Sequence, residues 1–129
     1  MARIEHLNVT VSDPKRTAQM LADLFGWRTR WEGGAMAGAG YTMHVGDDDS
    51  YIAIYSGTDP NQTVTKADAS YQTRGAMNHI GVVVDDLDLT EKKVKAMGLA
   101  THNHADYEPG RRFYFHDADG IEFEVVSYD

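Results

Sequence analysis

The sequence predicts an α+β domain in which one short pattern, strand–helix–strand–strand–strand, is written twice. Three observations carry this reading. Apolar residues alternate with polar ones in Leu7-Asn8-Val9-Thr10-Val11, and a matching apolar run, Ile80-Gly81-Val82-Val83-Val84, opens the second copy. That period of two marks a half-buried strand. Each run leads through an aspartate into a helical spacing that a glycine stops. Three further strand-like pieces then follow in each copy.

In the first copy, Asp13-Pro14 supplies an N-cap and a proline at the first helical position. Thr17, Met20, Leu21, Leu24 and Phe25 recur at helical spacing, and Gly26 sits where a C-cap glycine belongs. Strands are expected at Trp27–Trp31, Tyr41–Val45 and Tyr51–Tyr55, with turns at Gly33-Gly34 and Gly46–Ser50. The second copy begins at Met77-Asn78-His79. After Asp85 and Asp86 it continues into a helix over about Asp88–Met97, stopped by Gly98. Its remaining strands are expected at Ala100–His104, Arg112–His116 and Glu122–Val126. Overlaying the copies matches His6 with His79, Val9 with Val82 and Tyr41–His44 with Phe113–His116. With one residue of slippage in the following turn, Ala53 falls on Glu124. The expected organisation is one domain over 1–129: module one about 1–56, a connector about 57–75 and module two about 76–129. The connector is polar, with a short helical turn expected over Lys66–Tyr71. Connectors of this length commonly have a task, such as joining modules or lying over a pocket mouth.

Composition narrows the function. The 129 residues are 42% hydrophobic and 25% charged, which suits one globular domain rather than a disordered chain. No apolar run is long enough to span a membrane, and the start of the chain does not resemble a secretion signal. Without cysteine, there are no disulfides, zinc–thiolate sites or cysteine nucleophiles. A net charge of −8 disfavours nucleic-acid backbone as a partner. A cytoplasmic protein that handles a small molecule is the expectation.

Strand alternation sorts the polar residues by face. With Leu7, Val9 and Val11 toward the helix, His6, Asn8 and Thr10 face the other way. Ile80, Val82 and Val84 likewise leave His79 and Gly81 on the inner face. Phe123 and Val125 cover the helix side of the last strand, so Glu122 and Glu124 point with the histidines. Two neutral imidazoles and a carboxylate, His6, His79 and Glu124, form a facial set suited to iron and similar divalent ions. One strand histidine alone is more often a hydrogen-bonded filler; the recurrence at one module position favours ligands.

His6-Leu7 with Asp13-Pro14, Leu24-Phe25-Gly26-Trp27, Asn78-His79-Ile80-Gly81-Val82 and the stretch from Phe113 to Glu124 resemble the vicinal oxygen chelate superfamily. That superfamily includes glyoxalase I, bleomycin-resistance proteins, fosfomycin-resistance enzymes, methylmalonyl-CoA epimerase and extradiol dioxygenases. The resemblance covers the chain except the connector. It implies two βαβββ modules forming a cupped, partly barrel-like mixed sheet with helices outside. It also implies a divalent ion (Fe²⁺, Mn²⁺, Zn²⁺ or Ni²⁺) chelating two neighbouring oxygens of a small-molecule substrate, and a homodimer.

Among the members, the glyoxalase and epimerase patterns place a glutamate where this chain has Ala53. An isomerase would therefore use Glu122 as its base, a residue otherwise expected to be a solvated strand end. The fosfomycin-resistance thiol transferases share the three ligands and a tyrosine ten residues before the glutamate, here Tyr114. They have threonine at the position of Asn8, and an arginine beyond the last strand where few residues remain here. The extradiol pattern fits at Phe113-Tyr114, Asp117, Gly120 and Glu124, has Ala118 in place of proline, and has His104 too far upstream. The resemblance thus implies dioxygenase- or lyase-like chemistry with Tyr114 assisting. The alternatives are a metal-free drug-sequestering protein with Trp27, Trp31, Tyr41 and Tyr51 lining a groove, and a catalytically silent relative. Minor features have plainer readings. His102 and His104 read as a polar strand edge on one face, and Asp47-Asp48-Asp49 as a solvated turn; Arg111 and Arg112 after Pro109-Gly110 read as edge charges, with bidentate binding of a substrate carboxylate as the alternative. Asn61-Gln62-Thr63 matches the glycosylation pattern but lacks a secretory context, and His44 and His116 read as strand-end residues.

Overall fold

The computed structural model describes residues 1–35, 39–59, 67–107 and 110–128. Asn61-Gln62-Thr63, Pro109 and part of the connector lie outside the described residues. The chain divides into two compact units, Met1–Gln62 and Thr63–Asp129. The first holds β1 (His6–Thr10), α1 (Pro14–Phe25), β2 (Arg28–Gly34), β3 (Tyr41–Gly46) and β4 (Tyr51–Tyr55). The second holds α2 (Ala67–Ser70), β5 (Ile80–Val83), α3 (Leu87–Ala96), β6 (Thr101–Tyr107), β7 (Gly110–His116) and β8 (Glu122–Ser127). Both are α+β, and the repeat is topological: the sheets run β1-β4-β3-β2 and β5-β8-β7-β6. In each, the first strand pairs parallel with the last and the other pairs are antiparallel. Each four-stranded sheet is open.

The helices start and stop for the local reasons that the sequence shows. Asp13 accepts a hydrogen bond from the Arg16 amide at 3.3 Å, and Pro14 opens α1. Gly26, at φ 71°, donates back to the Ala22 carbonyl at 2.9 Å, a left-handed cap that glycine takes without strain. Asp86 caps α3 through the Leu89 amide at 3.0 Å, so this helix begins at Leu87 rather than Asp88. Pro14, Thr17, Ala18, Leu21 and Leu24 form the buried stripe of α1, which packs on β3 and β4. In the second unit α3 buries Leu87, Thr90 and Val94 toward its sheet. Phe113, Phe115 and Phe123 are fully buried there, with Phe115 and Phe123 stacked at 5.1 Å.

Two expectations about the strands need correction. Gly33 and Gly34 lie inside β2 rather than in a turn, because they pair with Thr42 and Tyr41 of β3. The match of Tyr41–His44 to Phe113–His116 is out by two residues. His44 pairs with Ala53 and Tyr114 pairs with Glu124, so His44 is the counterpart of Tyr114 and Gly46 that of His116. A shift of two keeps every side chain on its face, so alternation alone does not detect it. The Ala53–Glu124 equivalence holds in the register: Asn8 pairs with Ala53, and Gly81 with Glu124.

Candidate functional site

On the sheet face of the second unit opposite α3, residues from two strands and the residue before a third converge. His79 directly precedes β5, Glu122 and Glu124 stand on β8, and Tyr114, His116 and Arg112 face them from β7. His79 Nε2 lies 2.9 Å from Glu124 Oε2. An imidazole nitrogen and a carboxylate oxygen at that separation need a proton or a cation between them. The other oxygen of Glu124 accepts from Arg112 Nη1 at 2.7 Å, with both side chains nearly buried, at 12% and 13% exposure. Arg112 also donates to the Gly110 carbonyl and lies 4.7 Å from the Tyr107 ring centre. It is therefore not a strand-edge charge. Arg111, by contrast, turns outward to Asp88 at 2.9 Å.

Glu122 is buried, at 8% exposure. It accepts from the Tyr71 hydroxyl at 2.5 Å, and its second oxygen lies 3.1 Å from His116 Nε2. Tyr71 and His116 cover it, with His79 Nδ1 3.6 Å away, so it is not a solvated strand end. Burial of a carboxylate is tolerated only with such partners. Tyr71 also meets His79 Nδ1 at 3.0 Å. The Glu122 carboxylate, through this hydrogen bond, is the main cause that pushes the Tyr71 phenol up to about 12. The Tyr114 ring stands edge-on to His79 at 5.5 Å. Burial first, then the charge of Glu124, raises the Tyr114 phenol above its ordinary value.

His102 and His104 do not share a face. A bulge between His102 and Ala105, with Asn103 at φ 53°, re-aims the strand. His102 stacks on His116 at 5.0 Å, and its Nε2 meets His116 Nδ1 at 3.1 Å. His104 instead binds Glu91 of α3 at 2.5 Å. An open concavity of about 570 Å³, within the size range of small-molecule sites, is lined by Tyr71, His102, Tyr107, Tyr114, His116 and Glu122 among others. Tyr71, Arg112 and His116 are the site residues that sequence reasoning missed. Arg112 shares strand parity with Tyr114, which could have placed it; no local pattern marks Tyr71.

His6 belongs to the first unit. Its Nδ1 binds Glu5 at 2.9 Å, and its ring stacks on Tyr51 at 4.9 Å. Tyr51 stacks in turn on His44 at 4.5 Å, with Trp31 5.2 Å beyond and Arg30 over the Tyr51 ring. Trp27 packs instead on Phe25, and Tyr41 bonds Glu32. Within either unit, among the described residues, no three His, Asp or Glu side chains form a ready ligand set. The donor types do suit a divalent ion. A carboxylate on His6 Nδ1 leaves Nε2 as that ring's ligand atom, the arrangement common for metal-bound histidine.

The residues 3–125 match the family model described as Glyoxalase/Bleomycin resistance protein/Dioxygenase superfamily. A comparison with curated proteins found no match. Solved structures do match. A glyoxylase/bleomycin resistance protein/dioxygenase domain from Frankia sp. EAN1pec superposes with a TM-score of 0.80 at 18% identity, covering 98% of both chains. The fosfomycin resistance protein FosX from Listeria monocytogenes gives 0.73 at 19% identity over 98% of this chain and 93% of its own. An antibiotic binding protein, TnmS3 from Streptomyces sp. CB03234, gives 0.71 at 16% identity over 98% and 96%. At these identities the structures establish likeness of fold, and the family match extends over nearly the whole sequence. The chain belongs to the Glyoxalase/Bleomycin resistance protein/Dioxygenase superfamily.

Proposed function

We propose that this protein is a divalent-metal-dependent enzyme acting on a small molecule with two neighbouring oxygens. His6, His79 and Glu124 are its ligands, His79 and Glu124 from the second unit and His6 from the first, of the same chain or of a second copy. The observation that carries the reading is the His79 Nε2–Glu124 Oε2 approach at 2.9 Å, two donor atoms of the right chemistry facing each other. Fe²⁺, Mn²⁺, Zn²⁺ and Ni²⁺ all accept this donor set; a variant of Listeria FosX has been solved with Mn(II) and a dihydroxypropylphosphonic acid. When bound, such an ion supplies Lewis acidity toward substrate oxygens.

The chain's own residues divide the remaining work. Glu122, buried and an acceptor only, is the group to take a proton from a substrate carbon or water. Tyr114 donates its hydroxyl hydrogen to substrate oxygen, and its raised phenol keeps it protonated at neutral pH. His104 is committed to Glu91, so the dioxygenase reading loses one of its two candidate histidines. Lyase- or isomerase-like proton chemistry is favoured accordingly. No helix among the described residues is long and apolar enough to cross a membrane. We take the protein as a cytoplasmic homodimer with no nucleic-acid partner, a state that light scattering tests.

A second reading, a metal-free binder of a planar drug-like molecule, is favoured by the Trp31–His44–Tyr51–His6 ring stack. Elemental analysis of protein purified without chelators separates the two. Stoichiometric transition metal, lost in His79→Ala, supports the enzyme. Metal-free protein after growth and purification with ample metal supports the binder, and a catalytically silent relative if no ligand binds either.

A further inference from the structure

Two arginines of β2 keep different company. Arg28 pairs with Asp48 at 2.5 Å. Arg30 has no hydrogen-bond or ion-pair partner among the described residues, and its guanidinium lies 4.7 Å over the centre of the Tyr51 ring. The acids that feel its charge are otherwise engaged. Glu5 holds His6 Nδ1 at 2.9 Å and the Tyr51 hydroxyl at 3.3 Å, and Asp47 accepts from the amides of Asp49 and Ser50.

Strict alternation would send Arg30 and Trp31 to opposite faces of the sheet. The bulge between Thr29 and Trp31 makes Arg30 the extra residue against β3. Both side chains then reach adjoining rings: Arg30 lies over Tyr51, Trp31 is 5.2 Å from His44, and His44 and Tyr51 stack at 4.5 Å. Gly33 makes room for the indole, since a Cβ there would lie 3.0 Å from the ring. Trp31 nevertheless remains half-exposed, at 50%.

A guanidinium keeps its charge throughout the working pH range, and its fork of N–H donors matches the two oxygens of a carboxylate. Stacking on Tyr51 holds that fork in place before a ligand arrives, which lowers the cost of ordering it. The indole beside it offers an aromatic surface. We propose that Arg30 and Trp31 form a subsite on the first unit for a planar aromatic carboxylate, the guanidinium taking the two oxygens and the indole the ring. The inference rests on this ring face as a binding surface, the observation behind the second reading above, and it needs no metal.

The test titrates metal-free protein with 2-naphthoate and with its neutral isostere 2-naphthamide, followed by the tryptophan indole N–H signals in NMR. Trp27, packed on Phe25, is the internal control. Expected are a saturable shift of the Trp31 signal with 2-naphthoate, a still Trp27 signal, and weaker binding of the amide. Arg30→Gln, a change at an exposed position, should weaken 2-naphthoate by about ten-fold or more, the weight of a charge-assisted hydrogen bond. Wild-type affinity in Arg30→Gln overturns the inference. Equal binding of acid and amide overturns it too, while leaving the ring face as a binding surface. If neither compound moves Trp31, both fail.

Discussion

Replacing Arg112 with methionine keeps most of the side-chain volume and removes the cation beside Glu124. The pair is 2.7 Å apart and nearly buried on both sides, so solvent screens it little. Removing one partner of a buried ion pair generally costs about 3–5 kcal/mol, since the other charge is left uncompensated. Two local features modify that figure. His79 remains against Glu124 Oε2 and offsets part of the loss, whereas the cation–π contact with Tyr107 disappears, adding about 0.5–2 kcal/mol. We therefore expect Arg112→Met to destabilise the metal-free protein by about 3 kcal/mol, read as a fall in the urea midpoint with unchanged slope. The double variant Arg112→Met/Glu124→Gln should recover much of it, because an amide costs less to bury unpaired than a carboxylate. A loss below about 1 kcal/mol, the range of exposed pairs, with no coupling in the double-mutant cycle, would refute the assignment of Arg112 as the buried clamp on Glu124.

Other consequences concern the scaffold. Burial raises the Glu91 carboxyl, but the hydrogen bonds of Thr101 and His104, with the charges of His104 and Lys95, outweigh it and hold the group below its ordinary 4.5. Its stabilising effect is thus present above that value and lost as pH falls through the lower folded one. The stability gap between wild type and Glu91→Gln, measured by urea unfolding, should be open at pH 7 and close in that acid window. Phe115→Ala empties a fully buried position stacked on Phe123 and should cost about 3–5 kcal/mol by the same assay. Asn103 holds φ 53° at the β6 bulge, so Asn103→Ala should cost about 1–2 kcal/mol and Asn103→Gly much less; equal effects would exclude backbone strain as the cause.

The frame of this molecule was legible because local chemistry and tertiary need agree in it. Asp13-Pro14 and Gly26 bound α1 where capping rules place them. Leu7 and Val9 alternate with exposed polar neighbours, and Val82 is buried between exposed Gly81 and Val83, because one sheet face packs on a helix. The pairing of Gly81 with Glu124 and of Asn8 with Ala53 realises the equivalence that the repeat implied. What escaped depends on contacts rather than on period. The slip of His44 against Tyr114 preserves facing, so nothing in the alternation opposes it. The bulge at Asn103 breaks the period itself and sends His104 to Glu91. Arg112 reads as a charge on a strand until Glu124 lies opposite its side chain. Tyr71 comes from outside the repeat and acts through a hydrogen bond spanning 51 residues, for which no spacing rule exists.

The proposed function turns on whether His6, His79 and Glu124 bind a common cation. Titration of Mn(II) into wild type, His6→Ala and His79→Ala by isothermal calorimetry tests it most directly. Saturable binding to wild type that is lost to a comparable degree in both variants is the predicted result. Wild-type affinity in His6→Ala, or no binding to any of the three, would contradict it.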